Sequence, residues 1–127
     1  MQKRILLGKV GLDGHTVGIQ IVAKAFRDAG FEVIFAGMAL RPAQMVEIAL
    51  QEDADIIGIS MLSGAHMEVI TRILDMMKEK GLDKTPLILG GVVPPDDVRL
   101  LKEKGLAEFF GPNSTTVEIV EKAKALI

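Results

Sequence analysis

An aspartate and a histidine two residues apart, Asp13 and His15, sit in the glycine-rich stretch Gly11-Leu12-Asp13-Gly14-His15-Thr16-Val17-Gly18. A single histidine beside an aspartate is ordinarily a solvated turn residue. The sharper chemistry is metal ligation. An aspartate that accepts a hydrogen bond from one imidazole nitrogen fixes the tautomer and leaves the other nitrogen free to ligate. A zinc site needs three or four ligands, and few others accompany this pair. One axial histidine is enough where a macrocycle, such as haem or a corrin, already holds the metal.

Three further stretches carry small and polar residues: Ser60-Met61-Leu62-Ser63-Gly64, Gly90-Gly91-Val92-Val93-Pro94-Pro95 and Gly111-Pro112-Asn113-Ser114-Thr115. Gly8, Gly11, Gly14 and Gly18 match neither the dinucleotide fingerprint nor the Walker phosphate loop, so a nucleotide-phosphate cradle is a poor reading. The pair Gly90-Gly91 is either a simple turn or a place where side chains are removed so that a planar group can approach the backbone. Ser60 stands where a phospho-acceptor receiver domain needs an aspartate, and the acidic pair of such domains is missing.

The elements that must position these residues alternate regularly. Ile5 to Val10 reads as a strand. Ile19, Val22, Ala23 and Phe26 mark one face of a helix that begins near Val17 and stops at Gly30. Phe31 to Ala36 is a second strand. Pro42 opens a helix with Met45, Val46, Ala49 and Leu50 inward. Asp55 to Ser60 is a third strand, followed by a helix from His66 to Lys80 that buries Ile70, Ile73, Leu74 and Met77. Leu87 to Leu89 is a fourth strand. Asp96 and Asp97 open a short helix with Val98 and Leu101 inward, ended by Gly105. Ala107 to Phe110 is a fifth strand, and Ser114 caps a last helix presenting Val117, Val120 and Ile127 to the core. Such alternation implies a parallel sheet covered on both faces. Five strands are too few for an eight-stranded barrel. The expected class is therefore α/β: a doubly wound, flavodoxin-like (Rossmann-like) five-stranded sheet of order 2-1-3-4-5, forming one domain over residues 1–127. Such sheets bind ligands at the carboxyl ends of their strands, and all four unusual stretches fall on that edge.

Composition narrows the class further. The chain has 127 residues, 49% hydrophobic and 25% charged, as in an ordinary globular domain. A net charge of −2 without blocks of like charge argues against nucleic acid or an anionic membrane as the main partner. Tyr and Trp are absent, which removes the usual stacking platforms for single strands. The absence of cysteine excludes disulfides and thiol chemistry and fits a reducing, cytoplasmic setting. No apolar run approaches the roughly 20 residues that span a bilayer, and Met1-Gln2-Lys3-Arg4 shows no signal-peptide pattern.

Asp13-Gly14-His15-Thr16-Val17-Gly18 fits the D-x-H-x-x-G motif of cobalamin-binding domains, Ser60-Met61-Leu62 fits the S-x-L that follows it, and Gly90-Gly91 fits the later glycine pair. With Pro94-Pro95-Asp96 and Phe110-Gly111-Pro112, the whole chain resembles the cobalamin domain of methylmalonyl-CoA mutase and related adenosylcobalamin-dependent acyl-CoA mutases. The resemblance implies that His15 replaces the cofactor's own dimethylbenzimidazole as lower axial ligand to cobalt, and that Asp13 tunes it. Gly14, Thr16 and Val17 then belong to the cofactor-binding stretch, and Gly18 lets the following helix start close to the displaced nucleotide tail. Ser60 bonds its base, Met61 and Leu62 line the slot, Gly90 and Gly91 keep the slot open, and Gly111 lies near its far end. It also implies cobalt–carbon homolysis and a radical carbon-skeleton isomerisation, in which this chain has no catalytic group acting alone.

Thr16-Val17 and the segment Gly37 to Pro42 depart from the usual mutase pattern, which bears on the particular mutase rather than on cobalamin. His66 stands where similar mutases also have a histidine; its ordinary reading is a helix-end residue without chemistry. Mutases of this kind hold acyl-CoA in a separate (β/α)8 barrel of about 250 residues, so the chain is expected to be a cobalamin-carrying small subunit or an excised domain, with Met1 favouring the former. The barrel partner should cover exposed apolar side chains near Met61, Leu62, Val92 and Val93. The alternatives are a corrinoid carrier for methyl transfer, which usually has a helical segment ahead of the sheet, and a stand-alone cobalamin-binding or sensor module, which usually carries an output domain.

Overall fold

The computed structural model describes residues 2–11, 17–61 and 64–127. Strand β1 (Arg4–Val10) is buried at every position from Ile5 to Val10, the mark of an interior strand covered on both faces. It pairs in parallel with β2 (Glu32–Leu40) on one side and β3 (Ile56–Met61) on the other. β4 (Leu87–Gly91) follows β3, and β5 (Glu108–Phe110) closes the far edge. The order 2-1-3-4-5 is the one that the alternating pattern predicts. Helices α1 (Val17–Asp28) and α5 (Thr116–Ala125) pack together on one face, and α2 (Pro42–Glu52), α3 (His66–Glu79) and α4 (Pro95–Lys104) on the other.

Successive strand residues point to opposite faces, which divides the interior in two. Ile5, Leu7, Ile56, Ile88 and Phe110 pack on Ile19, Phe26 and Val120 of α1 and α5. Leu6, Ile57, Ile59, Leu87 and Leu89 pack on Met45, Ile70 and Leu101 of α2 to α4. Phe26 is fully buried and meets Phe31 edge-on, centroids 5.0 Å apart. Phe26→Ala should therefore cost about 3–5 kcal/mol, read as a lowered urea midpoint, because the cavity it leaves is walled by rigid strands.

Gly30 (φ 97°) and Gly105 (φ 123°) end α1 and α4 in a backbone region that other residues rarely adopt, as their sequence positions suggest. Several boundaries differ from expectation. β2 runs on to Leu40 instead of stopping at Ala36. Two register shifts against β1 absorb the extra length, with Gly37 and Ala39 at positive φ, and the Gly11 N–H still bonds the Leu40 carbonyl. α5 is capped by Thr115, whose hydroxyl accepts the Glu118 N–H at 3.1 Å, and not by Ser114. The resulting phase turns Ile119, Val120 and Ala123 inward and leaves Val117 70% exposed; Ile127 is exposed too. Leu50 is also exposed, about 40° around the helix beyond Val46 at the edge of the buried stripe.

Candidate functional site

The sheet register builds the site. On the α1/α5 face, Lys9, Ser60, Gly90 and Phe110 form one cross-strand row at the carboxyl ends of β1, β3, β4 and β5. Leu7, Gly58 and Ile88 form the row beneath. Both rows line a cavity of about 420 Å3. Gly18, Ile19 and Val22 of α1 form one wall, and Ile119 and Thr116 of α5 form another. Gly111, Pro112 and Ser114 close the end beyond β5. The volume and the apolar lining with few polar groups suit a small flat organic ligand.

The glycines have separate jobs. A Cβ on Gly90 would meet nothing closer than 3.9 Å, so its absence leaves open space above the middle of the row. A Cβ on Gly91 would lie 2.1 Å from the Met61 carbonyl oxygen, so here glycine is demanded by the close approach of two strands. Gly18 also faces open space. Ser60 is the hydroxyl of the central row. Lys9 is fully buried and donates to the Ser60 Oγ at 3.3 Å. An ammonium can only donate, so the Ser60 O–H is directed away from Lys9. That makes it a hydrogen-bond donor for a ligand in the cavity.

Of the residues singled out in the sequence, Gly18, Ser60, Gly90, Gly91 and Gly111 come together around this cavity. Met61 does not: strand alternation turns its side chain into the core on the α2–α4 face, where it is buried. Its side chain therefore neither lines the cavity nor joins an exposed apolar patch. Val17 is the first residue of α1 and 68% exposed. Asp13, Gly14, His15, Thr16 and Leu62 lie outside the described residues. The strand and helix that flank the Asp13–His15 stretch are described, and Gly18 of that helix lines the cavity. Val92, 63% exposed, and Ile21 add apolar surface at the cavity, while Val93 packs partly against the core of the α2–α4 face. Lys9 was missed in the sequence. Its signal was a lone charge at an inward position of an otherwise apolar strand, next to the sheet's ligand-binding edge.

A second polar pair ties the neighbouring loops. The His66 Nε2–H donates to the Asp97 Oδ2 at 2.7 Å, because a carboxylate offers only lone pairs. His66 is 9% exposed, and its Nδ1 is the one buried side-chain nitrogen or oxygen without a partner among the described residues.

The family described as B12 binding domain matches residues 3–121. The chain belongs to that family. It is 38% identical over 124 residues to the 2-hydroxyisobutanoyl-CoA mutase small subunit of Aquincola tertiaricarbonis, covering 98% of this chain and 91% of that one. Ethylmalonyl-CoA mutase of Cereibacter sphaeroides is 40% identical over 109 residues, covering 86% of this chain and 17% of that larger protein. The chain thus matches nearly all of one relative and a small part of the other. Among solved structures, a cobalamin-binding protein from Desulfitobacterium hafniense superposes with a TM-score of 0.83 at 21% identity, over 98% of this chain and 59% of that one, which shows the shared fold.

The cavity fits the group that the family name implies. Its floor and walls are mostly apolar, with Lys9 the one charged residue of the lining, its middle lacks side chains at Gly90, and a hydroxyl stands at Ser60. Such a slot accepts a flat aromatic base with one acceptor nitrogen, as on the nucleotide tail of cobalamin. Among the described residues, no cluster of three or more metal-ligating side chains exists. No described helix is long and apolar enough to cross a membrane.

Proposed function

We propose that this chain carries adenosylcobalamin with its nucleotide tail extended into the cavity and His15 as the lower axial cobalt ligand, as the small subunit of an acyl-CoA mutase. The observation that carries the reading is the open slot at the carboxyl ends of β1, β3, β4 and β5. It opens beside the start of α1, directly after the Asp13–His15 stretch. Its volume and mostly apolar floor suit a tail drawn away from the metal, and His15 would then hold the metal. Asp13, as the carboxylate two residues away, orients the imidazole and strengthens it as a donor.

When bound, the cofactor supplies radical chemistry for a 1,2-rearrangement of the acyl group. The chain's own residues bind and orient. Ser60 donates to the tail's base, Gly18, Gly90 and Gly111 give it room, and Leu7, Ile88 and Ile119 exclude water. Substrate binding belongs to a large (β/α)8-barrel subunit that seats acyl-CoA over the upper face of the corrin. Support for such a partner comes from the near-complete match to a mutase small subunit and from the exposed Val17 and Val92 near the cavity. A cytoplasmic setting follows from the same reading.

Electron paramagnetic resonance of the protein mixed with cob(II)alamin tests the ligation. The expected spectrum shows nitrogen splitting from a histidine, and His15→Ala should lose it. A base-on spectrum unchanged by the substitution would overturn the reading. Co-purification with a barrel subunit and turnover of an acyl-CoA by the pair would test the assignment as a mutase; methyl transfer by the loaded chain would favour a corrinoid carrier.

A further inference from the structure

The loops after β3 and β4 leave the sheet side by side. Their last ladder positions are paired, Ser60 with Gly90 and Met61 with Gly91, and the Gly91 backbone is pressed against the Met61 carbonyl. In sequence β3 is followed by α3 and β4 by α4. At the helix starts they are joined again by the His66–Asp97 bond, 2.7 Å long and 31 residues apart in sequence. The ends of β3 and β4 are thus tied to each other, and so are the starts of α3 and α4. Ser60, Gly90, Gly91 and Val92, at or next to the first tie, all line the cavity.

His66 is poorly explained by packing alone. Its ring is buried at the first residue of α3, yet the Nδ1 has no partner among the described residues. An unmet buried nitrogen is unfavourable, and an apolar residue of similar size would avoid it. Asp97 gains from the first turn of α4 whether or not an imidazole is present. What the imidazole adds is a directed bond that sets the spacing between the starts of α3 and α4.

The geometry points to His66 as a positioning residue of the cofactor slot: through Asp97 it fixes the start of α4 against the start of α3, and with it the course of the chain from Gly91 to Pro95, whose Gly91 and Val92 line the slot. The inference rests on the cobalamin reading above. His66 does not line the cavity itself, so it acts on the slot through Asp97 and the chain that follows β4.

Four proteins test it: the wild type, His66→Leu, Asp97→Leu and Asp97→Asn, each measured for cob(II)alamin affinity, thermal midpoint and nitrogen splitting. His66→Leu should keep or raise the midpoint, since it removes the unmet nitrogen, while affinity falls on the order of tenfold, the scale typical of residues that orient a binding group. Asp97→Leu lies on a partly exposed helix turn and should give the same loss without threatening the core. Asp97→Asn keeps an acceptor for Nε2–H and should recover most of the affinity. The nitrogen splitting should persist in all variants that bind. Wild-type affinity in either leucine variant, or an equal loss in Asp97→Asn and Asp97→Leu, would overturn the inference while leaving the cofactor reading intact. Failure of the wild type itself to bind would overturn both.

Discussion

Gly91→Ala should come close to unfolding the protein. The added methyl would sit 2.1 Å from the Met61 carbonyl oxygen, a backbone atom held in the β3–β4 ladder, and so cannot be accommodated by a side-chain rotation. Relief requires parting two paired central strands. The Leu89–Ile59 layer beneath them is fully or almost fully buried and has no slack to absorb the movement. The expected cost is roughly 4 kcal/mol or more, in the range reached only by severe steric defects. Against a total stability of about 5–15 kcal/mol, that leaves a marginal fold. Urea denaturation followed by circular dichroism reads it directly: the midpoint should drop steeply, and any remaining folded protein should bind cobalamin poorly because Ser60 and the β4 end move apart. A variant with the wild-type midpoint would show that the strands separate here more easily than the geometry implies.

The two glycines of one dipeptide illustrate what the sequence can and cannot convey. That Gly90-Gly91 lies at a strand end facing the ligand edge follows from the alternation of apolar runs and helical stripes, and so does the strand order. The stripes of α3 and the stops at Gly30 and Gly105 are equally local, being fixed by 3.6-residue periodicity and by a backbone conformation that glycine tolerates. Which glycine opens the slot and which admits a neighbouring strand depends on register, a long-range property. The same holds for Met61. Alternation along β3 would have separated it from Ser60, but only once the face bearing the cavity is known. Val117 reads as inward because it lies only about 60° from Val120, but the buried arc of α5 runs the other way, through Ile119 and Ala123. The bulged end of β2 has no simple periodic signal. Lys9–Ser60 and His66–Asp97 join residues 51 and 31 apart. No local pattern reveals which residues pair, even where one of them, such as Lys9, stands out as a lone charge in an apolar strand.

Gly90→Leu should do the opposite of Gly91→Ala: leave the fold intact and remove the place for the cofactor's tail. The Gly90 Cβ position has only the Phe110 and Ile59 carbonyl oxygens nearby, at 3.9 and 4.0 Å, which is ordinary contact. A β-carbon is therefore tolerated, and replacing glycine inside a strand lowers the entropy of the unfolded chain. The rest of the leucine side chain has nowhere to go but the cavity, because Gly90 belongs to the row with Lys9, Ser60 and Phe110 that forms its upper floor. An aromatic base that buries roughly 150 Å2 contributes at most about 3.8 kcal/mol at about 25 cal/mol per Å2. Its exclusion therefore weakens binding by up to about 500-fold. Cobinamide, which has the corrin but no nucleotide tail, supplies the control. Gly90→Leu should bind cobinamide as the wild type does and lose cobalamin selectively, with an unchanged thermal midpoint. Equal loss of both ligands would mean that the corrin and not the tail occupies the cavity. Unchanged affinity for both would place the tail elsewhere and remove the main structural support for the base-off, histidine-ligated mode.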